Sequence, residues 1–559
     1  MQKILFSKSS NSYVENNLEF TIPKSTLNEG INNFDKFIIY KFAEKIKVFD
    51  RKCDHAGGRL ISTNRNKIIC PMHKWEFNPE VGLYKNKIKK EEIFYTESEN
   101  EISFNISKDE LILPDFKTSK ELYINFINHA CLLFESEDFK FAIDPWIEGS
   151  AFSNGWWLKY KSPKNIYDEL NSCDFIFISH THPDHLHEES LKKIRKDMLI
   201  YTMNFSSRSS EEHLNSLGFS NVKILDHDTG YIDEKKEFYL TPLKSGDFRD
   251  DSGFILKYGT FSGLINVDTN YINFYKLPSA LTFIASTFAS GASGFPLCFD
   301  NIELKNKKQI LQLNRNSAKK INENLFQQTN PKYFLPYAGF FVEAADRDSF
   351  IRENNIKNSI EDYETIVNKY NLTLLNIEKF QKFTFHGEKL KNKNGKFLTL
   401  NSNMDTKNLI DSFKEKYSYI EDDFIVDYFQ GSNFKNDFNL LIDLTDDYFS
   451  TKKQIKIIFN SKGDVDVEFV KNITLYDFKN SNNSLQLKIR QEAFIYTLKN
   501  LMPWEDLLIG FQIRAEREPN IYNTDFWYHF SNIYTKYNAS RIAKDCTGCD
   551  LLKHSLVSG

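Results

Sequence analysis

The feature that most constrains this chain is a pair of short motifs near its amino terminus, each of which combines one cysteine with one histidine. The first is Cys53-x-His55 and the second is Cys70-x-x-His73, with 14 residues between them. Thiolates and imidazoles are common metal ligands. The surrounding sequence has short alternating strands, such as Phe37–Phe42. The pattern therefore predicts a small all-β module in which two loop tips hold one metal centre.

The mixed pairing distinguishes this centre from the usual structural zinc site. A zinc site with two cysteines and two histidines more often pairs Cys-x2-4-Cys with His-x3-5-His, and it remains the alternative. A Rieske [2Fe–2S] cluster places two thiolates on one iron and two imidazoles on the other, which raises its reduction potential. Residues 30–105 resemble the Rieske domain family. The resemblance implies that Cys53, His55, Cys70 and His73 bind a cluster that passes on single electrons.

A second group of potential ligands follows the apolar stretch Asp174–Ser179, in the order His180-Thr-His182-Pro-Asp184-His185. Ligands in α/β layer folds collect beyond the carboxyl ends of strands. His180 and His182 can therefore face one point, while Asp184 and His185 stand at the entry to the next helix. The alternative is a polar surface loop with solvated histidines. Four such side chains in six positions favour a metal site.

This second motif resembles that of the metallo-β-lactamase superfamily, over about residues 120–345. The resemblance implies a site for zinc, iron or manganese. It also places His129 and Asp144 on the opening strands of the fold, and it makes Asp268 a carboxylate that bridges metals.

The sequence departs from that superfamily at two histidines. Where one is expected, Ser245–Asp251 offers only carboxylates, and we expect Asp247 to substitute for it. The other is absent from the turn at Pro336–Phe340. The resulting set of histidines and carboxylates favours non-haem iron, mono- or dinuclear, over hydrolytic zinc.

The two centres make chemical sense together, because an iron enzyme that activates dioxygen needs electrons one at a time and a hydrolase needs none. Their order along the chain is similar to that in the CMP-N-acetylneuraminate hydroxylase family. Five further stretches carry the resemblance, and they extend into the third region of the chain: 144–158, 178–186, 290–296, 336–343 and 508–514.

Family membership implies a Rieske-coupled monooxygenase that hydroxylates the N-acetyl group of CMP-N-acetylneuraminate to N-glycolyl, using O2 and two electrons. A reductase would supply the electrons through a cytochrome b5-like protein or a ferredoxin. The residues implied to hold the iron are His180, His182, Asp184, His185, Asp247 and Asp268. An oxygenase for another substrate, a metal-dependent hydrolase with a redox-sensing cluster, and an electron carrier or iron sensor without catalysis remain as alternatives.

At 559 residues the chain exceeds what one hydrophobic core supports. We expect an N-terminal all-β Rieske domain at 1–107, followed by a central metallo-β-lactamase-like αββα domain at 115–350. A charged, solvated connection is expected at 351–404, and an α+β domain of unknown role at 405–559. The predicted fold class is therefore multidomain α+β.

Charge and composition exclude several kinds of partner. With a net charge of -4 there is no overall positive field for a polyanion, so nucleic acid is not expected to bind. No apolar stretch reaches the roughly 18 residues that a membrane span needs. Seven scattered cysteines and the absence of an export signal favour the cytoplasm. Cys546 and Cys549, with His554 nearby, lack a second cysteine pair and are expected to belong to a tail with free thiols.

Two features stay open at this stage. The segment Ser290–Gly294 fits either a phosphate-binding loop or a plain turn. Trp146, Trp156 and Trp157 fit either a substrate pocket or core packing.

Overall fold

The structure is a computed structural model. It describes residues 4–34, 36–54, 60–62, 67–69, 75–85, 87–205, 208–246, 249–395, 398–478 and 483–536.

The described part of the N-terminal region consists of strands and one short 3-10 turn. The strands are β1 (Ser7–Ser10), β2 (Ser12–Pro23), β3 (Gly30–Asn33), β4 (Phe37–Phe42), β5 (Lys45–Asp50), β6 (Ile61–Ser62), β7 (Ile68–Ile69), β8 (Glu76–Asn78), β9 (Leu83–Tyr84), β10 (Tyr95–Glu97) and β11 (Glu101–Ile112). Strands β2 to β11 form the antiparallel sheets β3-β4-β5, β6-β7-β8-β9 and β10-β11-β2. The apolar residues of β4 and β5, such as Ile38 and Phe49, are buried between these sheets. The predicted all-β architecture of this region is confirmed.

The first strand departs from the predicted organisation. β1 pairs with a strand of the central domain, with Ser7 opposite Ile232. Residues 7–10 are therefore part of a central sheet, although we expected residues 1–107 to belong to the Rieske domain.

The central domain contains two eight-stranded sheets and six helices among the described residues. The elements are β12 (Glu121–Asn128), β13 (Cys131–Glu135), β14 (Lys140–Ile143), β15 (Ser150–Ala151), β16 (Trp156–Leu158), α1 (Ile166–Asn171), β17 (Phe175–Phe177), α2 (Glu188–Lys192), β18 (Ile200–Met203), α3 (Ser209–Ser216), β19 (Val222–Leu225), β20 (Thr229–Asp233), β21 (Phe238–Lys244), β22 (Ser252–Tyr258), β23 (Phe261–Val267), β24 (Phe283–Ser286), α4 (Leu304–Thr329), β25 (Tyr333–Pro336), β26 (Phe341–Val342), α5 (Ser349–Asn354), α6 (Glu364–Lys369), β27 (Thr373–Leu374), β28 (Lys382–His386) and β29 (Lys389–Asn394).

The two large sheets pack face to face around the main hydrophobic core. One has the order β1-β20-β21-β22-β23-β24-β25-β27 and the other β19-β18-β17-β14-β13-β12-β28-β29. Across the core, Phe177 of β17 packs on Phe254 of β22 with ring centroids 4.5 Å apart. Leucines of α1, α2 and α3 cover the outer face of the second sheet, and Phe326 of α4 packs on Phe334 of β25 in the first. The predicted αββα layering is confirmed.

Residues 351–404 are not the solvated connection that we expected. β28 lies between β12 and β29 in the second sheet, with Glu121 opposite His386, and β27 extends the first sheet. Phe383 and Phe385 of β28 are fully buried, whereas the lysines of β29 are exposed. The prediction was wrong because the charged residues that suggested a linker lie on an edge strand, where exposed lysines are common.

The C-terminal region is an α+β unit that shares a core with the central domain. Its elements are α7 (Thr406–Lys416), α8 (Asp422–Gln430), β30 (Phe438–Thr445), β31 (Thr451–Phe459), β32 (Val465–Val470), β33 (Ser484–Arg490), α9 (Gln491–Lys499), α10 (Glu505–Ile509), β34 (Ile513–Glu518) and α11 (Thr524–Tyr528). The sheet order is β32-β31-β30-β33-β34. Trp146 and Trp156 of the central domain lie in one apolar cluster with Trp504 and Phe511.

Cys546, Cys549 and His554 lie outside the described residues. Among the helices that the structure describes, none is both long and apolar enough to cross a membrane.

Candidate metal centre

The predicted ligand loop begins where β17 ends, next to the end of the parallel strand β14. Asp144 follows β14 and is fully buried. Its carboxylate accepts hydrogen bonds from the backbone N–H of Ser179 (2.9 Å) and from the Ser179 hydroxyl (2.6 Å). Asp144 therefore joins the two strand ends and sets the path of the loop that carries the histidines.

The outer ring nitrogens of two buried histidines are held by these same groups. Nδ1 of His180 lies 2.9 Å from the Ser179 hydroxyl, and Nδ1 of His185 lies 2.8 Å from the Asp144 carboxylate. These bonds leave Nε2 of each ring facing the space between the loops. Partners of this kind fix the tautomer and orientation of a metal-binding imidazole.

Three overlapping groups of side chains could hold a metal ion. They are His129 with Asp184 and His185, His180 with His182 and Asp251, and His180 with His185 and Asp268; the ligand atoms of each group lie within 4.8 Å of one another. Because the groups share His180 and His185, they form one continuous pocket. Three overlapping ligand groups offer enough donors for one metal ion or two.

The polar atoms that face this pocket fit a bound cation. Nε2 of His185 lies 3.5 Å from Asp184 and 3.4 Å from Asp268. Within the described part of the chain, this nitrogen and the Oδ1 atoms of both aspartates are buried without a hydrogen-bond partner. An unsatisfied buried polar group costs about 1–3 kcal/mol. A metal ion between them would satisfy these atoms, so the donor set fits a metal centre.

Burial and the neighbouring charges shift the pKa values of His185 and His180 in opposite directions. Burial lowers the pKa of His185. The carboxylates of Asp184, Asp268 and Asp144 together raise it by more than burial lowers it, so the pKa of His185 lies well above the ordinary value. Burial and the neighbouring imidazoles hold the pKa of His180 well below the ordinary value. The pocket thus keeps a positive charge at His185, which a metal cation would replace.

The structure brings together five of the six residues predicted for this centre. His180, His182, Asp184, His185 and Asp268 all line the pocket. Asp247 lies outside the described residues.

Other side chains were missed at the sequence level. Asp251, from the same acidic segment, lies 4.0 Å from Nε2 of His180. His129 was expected only on the opening strands, yet its Nε2 lies 3.0 Å from Asp184. It occupies the tight turn between β12 and β13 with a positive φ of 41°. In the sequence, the signal that could have indicated His129 is a single histidine in the short turn between two apolar strands.

A further acidic side chain, from the C-terminal region, lies beside the outer ring nitrogen of His182. Oε1 of Glu505, at the start of α10, lies 3.6 Å from Nε2 of His182. The next residue, Asp506, is buried, and burial raises the pKa of its carboxyl to about 8. Nothing in the local sequence of α10 indicates a role at a metal centre about 320 residues away, so only the structure identifies it.

The undecided tryptophans are core residues. Trp146, Trp156 and Trp157 are all buried. The Trp146 ring packs edge-on against His129, with centroids 5.0 Å apart, and Trp156 stacks on Phe341 at 3.5 Å. Trp146 and Trp156 pack against His129 and form an aromatic wall behind the pocket.

The glycine-rich segment packs just as closely against its neighbours. A Cβ atom added at Gly291 would lie 2.5 Å from the ring of Phe341, and one added at Gly294 would lie 2.5 Å from the side chain of Asn355. These glycines allow tight internal packing, as in a plain turn.

Of the predicted cluster ligands, only Cys53 can be located. It is buried among Phe49, Phe77 and Tyr84, whereas His55, Cys70 and His73 lie outside the described residues. Phe274 of the central domain packs against the same apolar cluster. Because Phe274 follows Asp268 by six residues, one short loop links the surroundings of Cys53 to the metal pocket.

Comparison with known proteins agrees with this architecture. Residues 23–93 match the Rieske [2Fe-2S] domain family, and residues 123–248 match the Beta-lactamase superfamily domain. The chain is 28% identical to the cytidine monophosphate-N-acetylneuraminic acid hydroxylase of Cricetulus griseus, covering 90% of this chain and 96% of that protein. It is 27% identical to the Danio rerio hydroxylase, covering 91% of each.

Solved structures are more distant. The diiron β-hydroxylase CmlA from Streptomyces venezuelae aligns with 50% of this chain and 55% of its own, at 16% identity and a TM-score of 0.33. Isothiocyanate hydrolase from Delia radicum gut bacteria aligns with 45% of this chain and 83% of its own, at 16% identity and a TM-score of 0.28.

The two domains define an oxidoreductase in which a Rieske domain is joined to a domain of the beta-lactamase superfamily. Within that class, the chain resembles the CMP-N-acetylneuraminate hydroxylase family over about nine-tenths of its length. The Rieske match supports the predicted [2Fe–2S] cluster, and the pocket of histidines and carboxylates supports the predicted non-haem iron.

Proposed function

We propose that this protein is a Rieske-coupled iron monooxygenase that hydroxylates the N-acetyl group of CMP-N-acetylneuraminate or a related nucleotide-activated sugar. The observation that carries the proposal is the buried pocket of histidines and carboxylates, with unsatisfied inner atoms, on the same chain as a Rieske domain. A hydrolytic site would not need the electrons that such a domain delivers.

The side chains of the pocket would bind and orient the iron. When bound, iron supplies the activation of dioxygen. Ser179 and Asp144 hold the outer nitrogens of His180 and His185, so both rings are fixed before the metal arrives. In the overall reaction one oxygen atom of O2 enters the C–H bond of the acetyl methyl group, and the other leaves as water with two electrons and two protons.

A pocket beside His182 is the proposed path of the substrate to the centre. It lies between the central domain and the C-terminal region, and its lining includes Thr181, His182, Arg249, Asp251, Met502 and Glu505. Arg249 pairs with the Asp251 carboxylate at 3.1 Å and donates to the backbone oxygen of Asp268 at 3.0 Å. This guanidinium is positioned to neutralise part of the carboxylate charge near a substrate that is itself anionic.

The Rieske-matched segment suits an acidic electron donor. Residues 23–93 contain 15 Lys and Arg against nine Asp and Glu, although the whole chain has a net charge of -4. Lys85, Lys87 and Lys89 are exposed just after Tyr84, whose hydroxyl donates to Asp54, the residue after Cys53. A cytochrome b5-like protein or a ferredoxin with an acidic surface, reduced by its own reductase, would be attracted to this edge.

The test is anaerobic purification with iron and sulfide quantitation, followed by turnover of CMP-N-acetylneuraminate with O2 and a reductant. We expect an N-glycolyl product that requires both co-substrates. We also expect His182→Ala and His55→Ala each to abolish the product, with loss of the visible cluster spectrum only in His55→Ala. Turnover of the sugar without O2 or reductant would instead identify a hydrolase.

A further inference from the structure

We propose that Glu505 is a positioning residue of the metal centre. Its carboxylate holds the outer ring nitrogen of His182, so that the inner nitrogen faces the metal. The C-terminal region, which has no other assigned role, thereby becomes part of the centre. The inference rests on the proposed function only for the identity of the metal as iron.

The orientation of His182 follows from its two neighbours. Nδ1 of His182 lies 3.0 Å from Nε2 of His180, which is the nitrogen that faces the pocket. Nε2 of His182 points away from the pocket, 3.6 Å from Oε1 of Glu505. His182 can therefore bind a metal through Nδ1 while its Nε2–H is directed at a carboxylate.

The same arrangement recurs at the two other histidines of the loop. The outer nitrogen of His180 is held by the Ser179 hydroxyl and that of His185 by the Asp144 carboxylate. His182 is the third member of this set. Its outer partner comes from another domain rather than from the neighbouring strand end. Metal-bound histidines normally donate their second ring N–H to such a partner, and loss of the partner typically costs 10–100-fold in metal affinity or activity.

Close packing keeps Glu505 in place. Trp156, in the central domain, donates its indole N–H to the backbone oxygen of Ile509 at the end of α10 (2.8 Å). At the same contact, a Cβ atom added to Gly155 would lie 2.0 Å from the backbone oxygen of Gly510. Trp504, just before Glu505, is fully buried and donates to the Tyr428 hydroxyl (2.8 Å). Helix α10 thus has little freedom to move Glu505 away from His182.

The test uses the full chain with its cluster, its second site emptied by chelation and titrated anaerobically with Fe(II). The variants are Glu505→Ala and Glu505→Gln, and Asp466→Ala, an exposed carboxylate of β32, is the matched control. We expect Glu505→Ala to bind Fe(II) about 10–100-fold more weakly. We expect a smaller loss in Glu505→Gln, whose amide oxygen still accepts a hydrogen bond, and no change in Asp466→Ala.

A spectroscopic readout separates positioning from a general loss of structure. The electron paramagnetic resonance spectrum of the ferrous–nitrosyl adduct should change in Glu505→Ala, while the cluster spectrum and the unfolding midpoint of Glu505→Gln stay those of the parent protein. Unchanged Fe(II) affinity and an unchanged adduct spectrum in Glu505→Ala would overturn the proposal. Complete loss of Fe(II) binding in both Glu505 variants would also overturn it, because it would make Glu505 a direct ligand.

This test is independent of the substrate. If the parent protein fails to hydroxylate the sugar but Glu505→Ala still weakens Fe(II) binding, the proposed function is wrong and the role of Glu505 stands. If the sugar is hydroxylated and Fe(II) binding does not depend on Glu505, the proposed function stands and the role of Glu505 is wrong.

Discussion

At the scale of single residues, one buried carboxylate does most to organise the centre. Asp144 accepts hydrogen bonds from the backbone and the side chain of Ser179 and from the His185 ring. Through Ser179 it also acts on His180. The orientation of two histidines thus depends on a residue that is not predicted to touch the metal.

The charge state of His185 predicts how metal binding depends on pH. The carboxylates around His185 raise its pKa well above the ordinary value, against the effect of burial, so the metal-free ring is protonated at neutral pH. Fe(II) has to displace this proton. We therefore expect proton release on Fe(II) binding and an affinity that rises with pH. Calorimetry in buffers of different ionisation enthalpy measures the number of protons, and a value of zero at pH 7 would contradict the prediction.

At the scale of secondary-structure elements, β28 and β29 show how a lysine-rich sequence can be structural. Phe383 and Phe385 face the core in alternation with polar residues, which is the period of a strand with one buried face. β29 then pairs with β28 and leaves its lysines exposed. Both strands belong to the central domain, even though the composition indicated a linker.

Substitution in this segment distinguishes a strand from a linker. The Phe385 ring contacts Phe261, Phe283 and Tyr333, with centroids 5.2 to 6.0 Å away. Phe385→Ala should lower the free energy of unfolding by about 3–5 kcal/mol, because it leaves a cavity in the core. Lys391→Ala, on the exposed face of β29, should change it by less than about 0.5 kcal/mol. Equal effects in chemical denaturation would argue against the buried strand.

At the scale of the whole molecule, a buried ionic network joins the C-terminal region to the central domain. Arg490 pairs with Asp348 at 2.7 Å, and both side chains are almost fully buried. Arg347 pairs with Glu492 at 2.6 Å. Because the same interface holds α10 beside His182, the docking of this region and the geometry of the metal centre are coupled.

Removal of one partner from this network should loosen the docking. Asp348→Ala leaves the Arg490 guanidinium buried without its counter-charge, which typically costs about 3–5 kcal/mol. We expect earlier thermal unfolding and faster proteolysis of the C-terminal region. Asp346→Ala removes an exposed carboxylate two residues away and is the control. If both variants unfold at the parental temperature, the ion pair does not secure the interface.

The positive edge of the Rieske-matched segment predicts the ionic-strength dependence of reduction. Charge reversal of Lys85, Lys87 and Lys89 to glutamate should slow cluster reduction by an acidic carrier at low salt by at least about tenfold, since steering by opposite charges raises association rates. Added salt should likewise slow reduction of the cluster in the parent protein, because it screens the attraction between the two surfaces.

The matched control reverses Lys389, Lys391 and Lys393, which are also exposed, on β29 of the central domain. Stopped-flow absorbance of the cluster measures both triple variants. Equal slowing in the two would show that net charge, and not this edge, controls the encounter.

The sequence alone determined the parts of this protein that are encoded within a few residues. Metal ligands in one loop must be close along the chain, so Cys53-x-His55 and His180 to His185 could be recognised without a structure. The resemblance carried by the second motif likewise indicated the layers of the central domain.

Tertiary structure decided the rest. Asp251, His129 and Glu505 come from different elements and reach His180, Asp184 and His182 only when sheets and domains pack. Distances between residues far apart in the chain depend on how those units meet, and no local pattern of residues encodes that geometry.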